Sequence, residues 1–127
     1  MNYPNDVKYT KNHIWISVDG DMAKLGITDF AQDQLGDILF VDLPEVGGNV
    51  DNGCVFSEVE SSKTSSELIS PVTGEITAVN EELDDSPECI NDDPYEAWII
   101  EVRIDENSEI ENLLSAEEYE TFCAEQE

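Results

Sequence analysis

Few residues of this chain have the type and spacing to do chemistry. His13 is the single histidine. One imidazole cannot build a two-histidine metal site, and no nucleophile stands near it in a recognisable motif. Cys54, Cys89 and Cys123 are odd in number and widely spaced. That pattern fits neither a disulfide framework nor a zinc site, and reads as buried or free thiols. Gly47-Gly48 lacks the rest of a phosphate-binding loop. Asp19-Gly20-Asp21 lacks the further carboxylates and closing Glu of a calcium loop. Glu81, Glu82, Asp84 and Asp85 read as a solvated loop. Among 31 Asp and Glu residues no spacing singles out a catalytic carboxylate pair. Ordinary enzyme readings are therefore poor.

One lysine stands apart. Between Lys24 and Arg103, Lys63 is the only positive side chain, in an interval holding 19 acidic residues. A surface lysine in such a stretch ordinarily does no more than soften repulsion. Its neighbours argue for more. Ser61, Ser62, Thr64 and Ser65 are small and polar and suit an exposed turn. The flanking runs alternate and predict a hairpin over about residues 54–70. A lysine at such a tip has no core to serve. It projects an amine on a flexible four-carbon stem, the geometry needed to carry a covalently attached group.

The elements that must position this tip are mostly strands. His13-Ile14-Trp15-Ile16-Ser17-Val18 alternates, Asp19-Gly20 is a tight-turn dipeptide, and Met22 to Ile27 continues as a second strand. Thr28 is a helix cap, Phe30, Ala31, Gln34 and Leu35 share one helical face, and Gly36 is a stop. Ile38 to Leu43 reads as a strand, and Val50 to Glu60 as mostly extended with a break or bulge at Gly53. Glu67 to Ser70 is the return strand, Glu75 to Asn80 another, and Trp98 to Ile104 a clear β-branched strand. A loop is expected from Glu81 to Tyr95. Ser115-Ala116-Glu117-Glu118 matches a capping box, so a C-terminal helix is expected over about 115–124, with Leu114, Tyr119, Phe122 and Cys123 as its apolar stripe. Trp15, Trp98 and Phe40 read as core, and His13 as an ordinary strand residue. Gly36-Asp37-Ile38-Leu39-Phe40-Val41 echoes Gly74-Glu75-Ile76-Thr77-Ala78-Val79, which suggests two similar halves on either side of a central hairpin.

Composition narrows the function classes. The chain has 127 residues, enough for one domain, 1–127. Its 5 basic against 31 acidic residues leave a net charge of −26. That balance excludes phosphate recognition by clustered cations, and so nucleic acid, and argues equally against an anionic membrane surface. The longest apolar runs, Ile38 to Val41 and Ala97 to Ile100, fall far short of the roughly 20 residues of a membrane span. Met1 to Lys11 shows neither a signal nor a transit pattern, so a soluble cytoplasmic protein is expected.

At this point the residues carry a family resemblance. Glu60-Ser61-Ser62-Lys63-Thr64, then Ser70-Pro71-Val72-Thr73-Gly74-Glu75 and Val79-Asn80, resemble the lipoyl-lysine hairpin of the glycine cleavage H proteins. His13-x-Trp15, Gly26-Ile27-Thr28-Asp29 with Ala31-Gln32, Leu35-Gly36-Asp37 and Leu43-Pro44-Glu45-Val46-Gly47 match the same family in order. So do Ile90-Asn91 with Pro94-Tyr95, Trp98, and Leu113-Leu114-x-Ala116 with Tyr119. A hairpin alone is shared with biotinyl domains and with the lipoyl domains of 2-oxo acid dehydrogenases; the collinear set is far more specific. Biotin acceptors typically place Met on both sides of the lysine, where this chain has Ser62 and Thr64. Three positions depart from the family pattern. Ile14 stands where an acid is common, one thought to help hold the loaded amine; Ala97 replaces a usual Gly; and Ser62 replaces a residue such as Val.

The resemblance implies a mainly β fold of the lipoyl/biotinyl-like hybrid type: a flattened barrel or sandwich of two antiparallel sheets with short helices, one at the C-terminus. It implies a non-catalytic carrier whose cofactor is lipoic acid, joined to Lys63 as an amide. The implied partners are the pyridoxal-phosphate glycine decarboxylase, which loads the aminomethyl group, the tetrahydrofolate-dependent aminomethyltransferase, which takes it, and dihydrolipoyl dehydrogenase, which reoxidises the dithiol. A lipoate ligase or lipoyl/octanoyl transferase would supply the arm. Glu60, Ser61 and Glu67 are the residues nearest in sequence that could contact the loaded arm. Glu60 and Glu67 read equally well as solvated strand-end carboxylates. The acidity suits steering to basic enzyme entrances. Two other readings stay open: an H-like relay of lipoyl or octanoyl groups to other enzymes, and an acidic interaction module that is never modified.

Overall fold

The computed structural model of the chain describes residues 3–104 and 113–126; the ends of the expected span 1–127 lie outside them. Strand β1 (Lys8–Tyr9) leads to the antiparallel pair β2 (Ile14–Asp19) and β3 (Met22–Ile27), joined by a tight turn at Gly20, whose φ is 66°. Helix α1 (Asp29–Leu35) and strand β4 (Ile38–Asp42) follow, then β5 (Asn49–Val50). The hairpin strands are β6 (Val55–Ser61) and β7 (Ser65–Ile69). β8 (Gly74–Val79), the single-turn helices α2 (Glu82–Asp85) and α3 (Cys89–Asp92), β9 (Ile100–Ile104) and α4 (Ala116–Gln126) complete the order.

Two antiparallel sheets result, neither closed on itself. One runs β1-β2-β3-β9-β8-β5 and the other β4-β6-β7. The run from Val50 to Glu60 is not one extended segment but divides between the sheets. β5 pairs with β8 in the large sheet, whereas β6 pairs with β4 and β7 in the small one. The switch occurs at the Asp51–Cys54 turn, closed by the Cys54 N–H on the Asp51 carbonyl at 3.0 Å, with Gly53 at φ 87°. The two echoing segments fall in different sheets: Ile38–Asp42 is in the small one and Gly74–Val79 in the large one.

The main core lies between the sheets. Ile14, Ile16, Leu25, Ile27, Val59, Leu68, Ile76, Ile100 and Val102 belong to it. Each buried aliphatic side chain contributes roughly 1.5–3 kcal/mol of transfer free energy. A second cluster seats α4 on the opposite face of the large sheet, through Tyr9, Trp15, Phe30, Tyr119 and Cys123. The Tyr9 and Tyr119 rings stack there at 4.8 Å. The capping box at Ser115 forms in both directions. Ser115 accepts the Glu118 N–H at 3.2 Å, and the Glu118 carboxylate accepts the Ser115 N–H at 2.9 Å. That bond holds the Glu118 carboxyl below the usual range.

Three further expectations need correcting. The Glu81–Tyr95 loop carries α2 and α3, each burying one apolar residue, Leu83 and Ile90, against the main core. Such helices are too short to announce themselves by periodicity. Phe40 is not core: it is 50% exposed, whereas Trp98, half-buried, does pack against the second cluster. His13 is not a strand residue. β2 begins at Ile14, and His13 closes the preceding turn with φ at 66°, donating its N–H to the Thr10 carbonyl at 3.1 Å.

Candidate functional site

Lys63 sits at the tip of the β6–β7 hairpin. The Ser61 hydroxyl builds the turn. It donates to the Thr64 carbonyl at 2.9 Å and accepts the N–H groups of Lys63 and Thr64 at 3.3 and 3.2 Å. The backbone bond from Ser61 N–H to the Thr64 carbonyl, 2.8 Å, closes the same loop. Local chemistry of this kind is why a Ser-rich stretch turns rather than extends. The Lys63 side chain is exposed and forms no ion pair with any described residue.

The tip is braced from below. The Ser62 N–H donates to the Asp37 carbonyl at 3.0 Å. Gly36, the cap of α1, has φ 79° and ψ −155°, a conformation open essentially to glycine alone. A methyl group built on it would stand 3.3 Å from both Lys63 Cε and Ser62 Oγ, so the lysine stem lies over this glycine. Asn91 of α3 locks the support in place. Its carboxamide accepts the Ile38 N–H at 2.8 Å and donates to the Gly36 carbonyl at 2.9 Å and to Gln32 at 3.0 Å. One side chain thus ties α3, the end of α1 and the start of β4 into a platform under the hairpin. Sequence spacing alone gave no sign that Asn91 does this, because its partners lie more than fifty residues away.

A cleft of about 290 Å³ opens beside this platform. Its apolar lining comes from Ile27, Phe30, Leu35 and Leu68, and His13 and Ser66 contribute polar groups. Leu35, which lines the cleft, adjoins Gly36, the residue over which the lysine stem lies. His13 is held from the α4 side. Its Nδ1 shares a hydrogen bond of 2.7 Å with the Tyr119 hydroxyl, which also pairs with the Thr28 hydroxyl at 2.6 Å. Thr28 in turn caps α1 by accepting the Ala31 N–H at 3.2 Å. Burial pushes the His13 imidazole down from its ordinary value, so it is neutral at pH 7. Burial likewise raises the Tyr119 phenol. No carboxylate lines the cleft among the described residues. Ile14, at the position of the family's common acid, is fully buried in the main core.

Strand alternation separates the remaining candidates. Ser66 and Leu68 face the cleft, so Glu67 between them points to the other side of the small sheet. Glu67 is paired across the strands with Glu58, and Glu60 with Ser65. Glu60 and Glu67 are both exposed on this outward face. The structure therefore puts Lys63 at the hairpin tip beside Gly36, spends the Ser61 hydroxyl on the turn, and puts Glu60 and Glu67 on the face of the small sheet opposite the cleft.

The family model for the glycine cleavage H-protein matches residues 7–126. The chain belongs to the glycine cleavage H-protein family. It is 52% identical over 126 residues to the glycine cleavage system H protein of Halalkalibacterium halodurans, covering 98% of each chain. It is 57% identical over 116 residues to that of Clostridioides difficile, covering 91% of this chain and 93% of the relative. The crystal structure of the glycine cleavage system H protein from Mycobacterium marinum superposes with a TM-score of 0.85 at 42% identity, over 93% of this chain and 96% of that one. The chain is accordingly a carrier component of glycine cleavage. No described helix is long and apolar enough to cross a membrane.

Proposed function

We propose that Lys63 is the attachment point of a lipoyl group, and that this chain carries the aminomethyl group on it between the enzymes of glycine cleavage in the cytoplasm. The observation that carries the reading is the exposed ε-amine, without an ion pair among the described residues, on a turn held by Ser61 and braced by Gly36 and Asp37. Attachment forms an amide between the Lys63 Nζ and the lipoyl carboxyl carbon, displaces the activating group from that carbon, and releases a proton. It removes the lysine charge. When bound, the lipoyl group supplies a disulfide able to accept an aminomethyl group and two electrons.

The residues of this chain present the arm rather than react with it. Ser61 and Ser62 hold the turn, and Gly36 leaves room for the stem. The cleft is a neighbouring surface of the right character for a chain of methylenes: Phe30, Leu35 and Leu68 are apolar, and neutral His13 offers a hydrogen-bonding nitrogen. Ser61 acts as the organiser of the turn, and Glu60 and Glu67 belong to the acidic outward face of the small sheet. The decarboxylating pyridoxal-phosphate enzyme, the folate-dependent aminomethyltransferase, dihydrolipoyl dehydrogenase and a lipoate-attaching enzyme are the partners this role requires.

The test is intact-mass measurement after incubation with a lipoate ligase, ATP and lipoate. One lipoyl adduct is expected on the wild type and none on Lys63→Arg, which keeps the fold and loses glycine-dependent activity with the partner enzymes. Absence of the adduct on the wild type, or its survival in Lys63→Arg, would overturn the assignment.

A further inference from the structure

The outward face of the small sheet carries an apolar pair that the carrier role leaves unused. Residues alternate in and out along a strand, yet Leu39 and Phe40 are consecutive and both exposed, at 61% and 50%. The cause is a β-bulge. The pairing of β4 with β6 slips between Ile38, opposite Ser61, and Phe40, opposite Glu60. Bulges of this kind re-aim side chains. Here the bulge turns an extra large apolar residue toward solvent, within one strand pair of the attachment turn.

Carboxylates border the pair on the side of β6 and β7. Asp42 lies opposite Glu58, Glu58 opposite Glu67, and Phe40 opposite Glu60. Like charges directly across a sheet are unfavourable in the isolated protein. The only described ion pair of the chain, Arg103 with Glu75, lies in the other sheet and relieves none of this. An apolar pair bordered by carboxylates without a described ion pair fits a partner with the converse surface: an apolar socket beside Lys and Arg.

We propose that the Leu39–Phe40 face is the docking surface for the enzyme that acylates Lys63. The choice among partners follows from reach. Enzymes that work on the finished arm meet its distant end and need not touch the sheet. The acylating enzyme must bring its active site to the ε-amine itself, on a four-carbon stem, so its surface lies against the turn and the strands beside it. Leu39 and Phe40 flank that turn, because Asp37 bonds Ser62 and Ile38 pairs with Ser61. This inference rests on Lys63 being the acyl acceptor.

The experiment measures lipoylation rates by intact mass, using purified lipoate ligase, ATP and lipoate, for wild type, Leu39→Ser/Phe40→Ser and Val46→Ser. Val46 is equally exposed, at 59%, but lies in the β4–β5 loop. Loss of an apolar anchor of this size lowers kcat/KM about 10-fold or more, through KM. Val46→Ser loads like wild type, and thermal melts verify that all are folded. In competition, excess Lys63→Arg slows loading of the wild type, whereas the same protein carrying both serines does not. Wild-type loading of the double variant overturns the proposal, including the case in which the loaded variant then fails with the decarboxylating enzyme, since that assigns the face to a different partner. Wild-type loading at Lys63 reports separately on the carrier reading itself.

Discussion

Replacing Gly36 by alanine probes the platform most directly. At φ 79° and ψ −155° a Cβ is strained by roughly 2–3 kcal/mol. Alanine also restricts the unfolded chain, which returns about 0.5–1 kcal/mol. The new methyl meets Lys63 Cε and Ser62 Oγ at 3.3 Å, but these are ends of flexible side chains that can yield. The net destabilisation is therefore about 1–2.5 kcal/mol and comes from backbone rather than from crowding. With an unfolding entropy near 2.1 cal/mol/K per residue, a chain of 127 residues loses roughly 4–9 °C in Tm. Thermal and urea unfolding followed by circular dichroism measure this. Lipoylation of the folded variant is expected within about threefold of wild type, since the stem swings aside without losing its amine. A Tm within about 2 °C of wild type would refute the conformational argument.

Asn91→Ala removes one acceptor and two donors from the junction of α1, α3 and β4. It is expected to lower stability by about 2 kcal/mol in urea unfolding, because the Ile38 N–H and the Gly36 carbonyl lose their partner; a change below about 0.5 kcal/mol would show that water replaces the carboxamide. His13 gives a pH signature. Its folded-state pKa lies below the unfolded value, so the unfolded chain binds the extra proton first, and stability is lost as pH falls through about 6.5 toward the folded pKa. His13→Asn, which tolerates the positive φ, should remove that component, seen as a wild-type minus variant difference in urea midpoint that changes between pH 7.5 and 5.5. A constant difference would exclude it. Turnover with the partner enzymes should fall as salt is raised from 0.02 to about 0.2 M, because the Debye length shrinks to roughly 7–10 Å and screens a net charge of −26. A flat response would remove electrostatic steering from the account.

Much of this protein was legible in its residues. Alternation and tight-turn dipeptides gave the hairpin strands, Thr28 and Gly36 the limits of α1, and Ser115 with Glu118 the start of α4. These are local signals, carried by hydrogen bonds that reach only a few residues. Lys63 was legible for the same reason: one cation within a polar turn stands out in the sequence itself. What the tertiary structure alone decided involves residues far apart in the chain. Nothing near Phe40 announces a bulge, and its large aromatic side chain assigned it to the core, whereas the register of β4 against β6 turned it outward. His13 seemed part of a strand until the turn from Thr10 and the Tyr119 hydroxyl, 106 residues away, set its backbone and its ring. The break between β5 and β6 became a switch between sheets only because each half found a different partner strand. Local chemistry specifies which segments turn, extend or coil. Which faces meet, and so which side chains reach the cleft or the solvent, is settled only when the long-range pairings close.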